Sequence, residues 1–221
     1  MHATTKTLLG ALAASALLAG VIPAQIPGAP VLQNAWAAPG IVAALNISGG
    51  SAAGASNAGV YALAAGWAPS GARFQLSGGG GAASGGGSRG VYGVRAAVPI
   101  TELMQGKLGL GGFVGVGGSS APAGDSISST MVVPVGAAIG YRMAIGSAGR
   151  GFSAYVDPNY QLHSGPKTRT GFFRVGIGVD AGITSRLGAT LGLETGSTAP
   201  AGKVGPRGSV FGLGVSMKLG R

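Results

Sequence analysis

The sequence predicts an all-β chain closing into an antiparallel transmembrane β-barrel of about ten strands, with eight as the runner-up, behind an N-terminal signal peptide. Three observations predict it. Between Phe173 and Ile183 every odd position is apolar, while the even positions from 174 to 182 are Arg, Gly, Gly, Asp and Gly. Glycine fills 46 of 221 positions, yet the chain is 46% hydrophobic and only 9% charged. Disordered chains show the reverse balance, because they lack apolar surface to bury. Finally, the charges avoid the apolar face of every candidate strand.

The N-terminus reads as export. Lys6 precedes an uncharged apolar run from Leu8 to Ile22, and Ala35-Trp36-Ala37 has the small-x-small pattern of a cleavage site. The run is short of the roughly 20 residues a spanning helix needs, and Pro23, Pro27 and Pro30 follow it. Residues 1–37 are therefore assigned as signal peptide and 38–221 as the barrel domain.

Within that domain, period-two alternation marks segments near 41–48, 59–68, 72–79, 89–98, 107–117, 130–142, 151–162, 171–183, 186–195 and 208–219. A helix through 171–196 would carry Gly176, Gly178, Gly182, Gly188 and Gly192, each costing about 1 kcal/mol relative to Ala. In 130–142, Met131, Val133, Val135, Ala137, Ile139 and Tyr141 oppose Pro134, Gly136, Gly140 and Arg142. In 151–162, Phe152, Ala154, Val156, Tyr160 and Leu162 oppose Ser153, Tyr155, Asp157, Asn159 and Gln161.

The chain after residue 37 holds nineteen charges, and nine of them stand on the small or polar face of a strand. These are Arg73, Arg95, Arg142, Asp157, Arg174, Asp180, Arg186, Glu194 and Lys218, and they form a predicted lumen charge network. A soluble sandwich hides its apolar face too, but it decorates the other with abundant Lys and Glu. Here the second face is mostly glycine, which suits a narrow lumen. Segments of about ten residues, apolar outside and polar inside, are the mark of a transmembrane barrel.

The links support this reading. With the amino end periplasmic, the outer links are 49–57, 80–88, 118–129, 163–170 and 196–207, and the inner ones include the short 69–71 and the tight turn at Thr184-Ser185. Aromatic side chains gather into two girdles: Trp67, Phe74, Tyr141 and Phe152 toward one rim, and Tyr61, Tyr92, Tyr160, Phe173 and Phe211 toward the other.

In these features the chain resembles the small outer-membrane β-barrel proteins of Gram-negative-type bacteria. Gly214, Met217 and Leu219 follow the spacing of the terminal strand that the barrel-assembly machinery reads in those families. The chain then ends Gly220-Arg221 instead of on an aromatic residue. The resemblance implies an outer-membrane location, contact with outer-membrane lipid, and delivery by that assembly machinery.

Two function classes follow, and an outer-membrane enzyme is weighed below as a third. The first is a structural barrel or a narrow pore: the lumen charges are six positive and three negative, an ion-pair plug if filled and an anion-biased passage if open. The second is surface binding of lipopolysaccharide or another anionic surface glycan, through an outer-loop basic patch of Arg89, Lys167, Arg169, Lys203 and Arg207 opposed only by Asp125. A secreted glycine-rich β-sandwich or adhesive protein is the alternative fold.

Catalysis is not expected. His163 and Ser164 point oppositely on a strand end, and Asp157 lies about 20 Å along the strand from His163. No cofactor or metal is expected: there is no cysteine, Asp125 alone cannot hold calcium, and GGGGAASGGG lacks the Gly-Lys-Ser/Thr of a phosphate loop. The Asn46-Ile47-Ser48 triplet lies on a predicted strand and carries no assignment. The +10 charge is not clustered into a basic stripe, so no nucleic-acid partner is expected.

Overall fold

The computed structural model describes residues 40–50, 58–69, 74–84, 89–123, 126–145, 150–166, 168–200, 205–206 and 208–219. The expected signal peptide lies outside them. Among the described residues there are ten strands: β1 (Gly40–Gly50), β2 (Ala58–Ala68), β3 (Gln75–Ala83), β4 (Arg89–Leu103), β5 (Leu108–Ala123), β6 (Ser126–Ile145), β7 (Arg150–Ser164), β8 (Arg169–Gly182), β9 (Leu187–Gly196) and β10 (Val210–Leu219). Each pairs antiparallel with its sequence neighbours, and β1 pairs with β10 from Ile41 opposite Leu219 to Gly50 opposite Val210. The single sheet therefore closes on itself with ten strands. This corrects both the eight-strand alternative and the two-sheet sandwich.

Closure leaves no unpaired strand edge along the wall, which is what an apolar solvent would demand of the backbone. Carried from strand to strand, the register returns to β1 about 12 residues from its start, tilting the strands by about 40° around a backbone radius of about 10 Å. We call the rim where β1 begins the near rim and its opposite the far rim.

The pleat sorts the side chains. On β1, Val42, Ala44, Asn46 and Ser48 are buried while Ile41, Leu45 and Ile47 are exposed. On β10, Val210 turns inward and Phe211, Leu213, Val215, Met217 and Leu219 turn outward. Outward rows on the remaining strands carry Leu63, Val94, Val135, Val156, Ile177 and Leu191, all exposed. Among the described residues the charged side chain on an outward row of the wall is Arg169, the first residue of β8.

Three links differ from expectation. The glycine run predicted as loop 80–88 is strand up to Ala83, pairing Gly80 with Leu63 and Tyr92. Glycine has no side chain to show alternation, so the neighbouring strands place it. The predicted loop 118–129 is mostly a hairpin in which Ser119 opposes Thr130 and Ala123 opposes Ser126, with their side-chain hydroxyls hydrogen-bonded at 2.9 Å in the first pair. At the near rim, β4 runs on to Leu103 across a register shift between Pro99 and Thr101. It turns through Gln105 and Gly106, both at positive φ. The expected contrast of long outer and short inner links is correspondingly weaker, and one wall, from β4 to β8, stands taller than the rest.

Candidate functional site: the lumen

The inward rows bring together charges from strands far apart in sequence. At mid-height Arg95 on β4 reaches Asp157 on β7, Nη2 to Oδ2 at 3.5 Å, with side chains 4% and 1% exposed. The Arg95 guanidinium also lies 3.8 Å from the ring centroid of Phe113 on β5, a cation–π contact that supplies a second stabilising face. Inward glycines make room for these groups. A methyl at Gly178 would overlap the Tyr155 ring, and one at Gly136 would overlap Asn159. Asn159 in turn donates from Nδ2 to the Asp157 carbonyl at 2.9 Å.

A second tier sits toward the far rim. Arg174 on β8 has no exposed surface. Its Nε donates to Glu194 Oε1 at 3.0 Å, and Nη2 donates to the Glu194 carbonyl at 3.3 Å. Nη1 donates to the Ser197 carbonyl at 3.2 Å and Nη2 to the Gly208 carbonyl at 2.9 Å. One guanidinium thus spans both ends of the link between β9 and β10. Glu194 Oε1 also accepts from Gln161 Nε2 at 3.1 Å. That leaves Gln161 Oε1 to accept from His163 Nε2 at 3.1 Å, which assigns the histidine proton to Nε2. The His163 ring packs edge-on to Phe172, centroids 5.2 Å apart. Beside this tier, Val60, Ala62, Ala83, Val91 and Val210 form a small apolar cluster inside the barrel.

A third group lies toward the near rim. Asp180 on β8 accepts from Ser153 Oγ at 3.4 Å and from Thr190 Oγ1. Asp157 Oδ1 and Asn159 Oδ1 are buried and have no hydrogen-bond partner among the described residues.

Of the predicted lumen network, Arg95, Asp157, Arg174, Asp180 and Glu194 lie inside. Lys218 occupies an inward row near the near rim, half-buried. Arg142 is not in the interior: it is exposed beyond the near rim, where Nε donates to the Gly106 carbonyl at 2.7 Å and Nη2 pairs with Glu102 at 3.3 Å. Arg186 is exposed in the turn between β8 and β9. In both cases the strand parity was inward, but the position lies past the end of the enclosed lumen. Arg73 lies outside the described residues.

In the predicted basic patch, Lys167, Lys203 and Arg207 lie outside the described residues. Arg89 starts β4 on an inward row and Arg169 starts β8 on an outward one, so the wall places these two four strands apart. The girdle residues all take outward rows. Trp67, Phe74, Tyr141 and Phe152 stand toward the near rim, with Trp67 and Phe74 edge-on at 5.8 Å. Tyr61, Tyr92, Tyr160, Phe173 and Phe211 stand toward the far rim.

The predicted charge network left out the neutral half of the lumen: Tyr155, Asn159 and Gln161, which alternation already places on the face of Asp157, and with them Phe113, His163, Phe172 and Thr190. The usable signal was parity, since Phe172 shares its row with Arg174, and Gln161 and His163 share theirs with Asp157. A comparison with protein-family models finds no match, and a comparison with curated proteins finds none either.

Proposed function

We propose that the protein is an integral β-barrel of the bacterial outer membrane with a structural role, its lumen closed by ion pairs in the state described here. The carrying observation is the inverted polarity of the wall. Large apolar side chains such as Leu63, 67% exposed, ring the outside, while Arg95, Asp157 and Arg174 are buried inside. A charge at the bilayer midplane costs about 2–4 kcal/mol on the lipid face of a barrel, and among the described residues the outward charge, Arg169, stands at the first position of β8. The height also fits. On the shorter wall, strands of 9 to 11 residues rising about 3.3 Å each and tilted about 40° stand about 25 Å tall, the thickness of such an apolar band, and the taller β4–β8 wall reaches past it. In this reading the aromatic rows lie at the two interfaces, the near rim faces the periplasm, lipid is the constant partner, and delivery falls to the barrel-assembly machinery.

Reconstitution tests it. Purified protein should float with lipid vesicles and migrate faster on a gel before boiling than after. Recovery of the folded chain as a monomer in water without detergent would overturn the reading.

A further inference from the structure

At the near rim the turn between β8 and β9 meets the end of β10. The Leu187 carbonyl accepts from the Ile183 amide at 2.9 Å and from the Thr184 amide at 3.1 Å. Thr184 Oγ1 accepts in turn from the Arg186 and Leu187 amides at 3.2 and 2.9 Å. This closely bonded turn holds Arg186 exposed at the rim. The Arg186 carbonyl accepts from the Lys218 amide at 2.8 Å, which sets two cationic residues side by side.

Lys218 leans toward the same edge. It stands opposite Val42 on an inward row, yet its Cε lies 3.4 Å from where a methyl on Gly40 would be. Gly40 is two residues nearer the rim, so the stem lies along the sheet and carries the ammonium to the mouth. Like charges on neighbouring strands repel. Among the described residues no carboxylate meets either side chain, whereas Arg95, Arg142 and Arg174 each have one. Asp180, further down the bore, is engaged by Ser153 and Thr190.

The wall just outside this lip is apolar. Leu219, Ile41 and Trp67 form one lateral row across β10, β1 and β2, all exposed. Trp67 is thus two strand spacings, about 10 Å, from Leu219. A dissolved phosphate would meet the two cations and nothing more. An amphiphile with a negative headgroup would use both parts of the edge, its phosphate on the lip and its chains along Leu219 and Ile41.

We propose that this lip binds an anionic phospholipid, with Arg186 and Lys218 holding the headgroup phosphate. This rests on the membrane reading above. A basic residue at a membrane surface favours anionic lipid by about fivefold, and two adjacent ones act on the same headgroup.

Trp67 reports on the site, and a Trp36→Phe background makes it the one tryptophan of the chain. The protein is reconstituted in phosphatidylcholine vesicles carrying equal small fractions of brominated phosphatidylglycerol or brominated phosphatidylcholine, and the quenching of Trp67 is compared. The anionic lipid should associate at least about fivefold more strongly. Arg186→Gln and Lys218→Gln should each lower that preference about fivefold, and Lys218→Arg should keep it. Lys107→Gln, at the turn into β5 and four strands from β9, should leave it unchanged. Heat-modifiable migration verifies the fold of each variant. Equal quenching by the two lipids would overturn the site, as would a preference that survives in the Arg186→Gln, Lys218→Gln double variant. Loss of the preference when inorganic phosphate replaces chloride at constant ionic strength would overturn the lipid in favour of a free phosphate. Failure of the protein to insert, or no quenching by either lipid, would instead sink the membrane reading.

Discussion

Arg95 and Asp157 meet inside the barrel with almost no solvent around either. Attraction between two such charges is offset by the cost of removing both from water, so the pair contributes little net stability while each member needs the other. Asp157→Leu should therefore destabilise the barrel by about 3–5 kcal/mol, because it leaves a guanidinium buried without its counter-charge. Arg95→Met combined with Asp157→Leu should recover most of that loss. Unfolding midpoints in urea with vesicle-bound protein would check both. Gly178 offers a steric counterpart: Gly178→Ala drives a methyl into the Tyr155 ring and should cost about 1–3 kcal/mol. In a Tyr155→Ala background the same substitution should cost much less, so a thermal double-mutant cycle would show coupling.

Among the elements, the turn at the near rim is the least comfortable. Met104 and Gln105 have φ of 52° and 57°, and Gly106 follows at 78°. The Lys107 amide closes the turn onto the Met104 carbonyl at 3.2 Å, leaving Gln105 and Gly106 as the two left-handed central residues that a hairpin prefers to fill with Asn-Gly. Gln105→Asn should raise stability by about 1 kcal/mol, read as a higher unfolding midpoint. This turn was hard to foresee, because PITELMQG contains one glycine and no pair of turn formers. The strands themselves were largely legible: their apolar and small residues alternate, and a closed wall preserves that parity from end to end. Gly80 and Gly81 were not, since their strand pairing comes from backbone groups. The hairpin rising from Ser119 and Thr130 was obscured for another reason. Its sequence from Ser119 to Thr130, SSAPAGDSISST, shows no apolar–polar alternation, and its described ends pair with each other.

For the whole molecule, the decisive quantity is which solvent meets the outside of the wall. Leu63→Arg places a charge near mid-height on the outer face, and should cost about 2–4 kcal/mol if hydrocarbon surrounds it. The readout is loss of the fast-migrating unboiled form after reconstitution. A wall facing water would accept the same change without penalty. The inside was legible in its charged residues and in the expectation of pairing, but not in who pairs with whom. Arg174 finds Glu194 because β8 and β9 are adjacent; Arg95 finds Asp157 across the bore, a relation set by shear and circumference and invisible to any local window. Arg142 shows the limit of parity: the correct face of a strand, continued past the rim, is no longer an interior.

The contact of Ile41 with Leu219 makes the earliest strand synthesised the last to acquire its second neighbour. With β10 removed from that ring, the remaining nine strands would have two raw margins, on β1 and on β9. A chain stopped short of β10 is therefore not a smaller ring but an open one, its two loose borders equally prone to recruit a stray strand from another molecule.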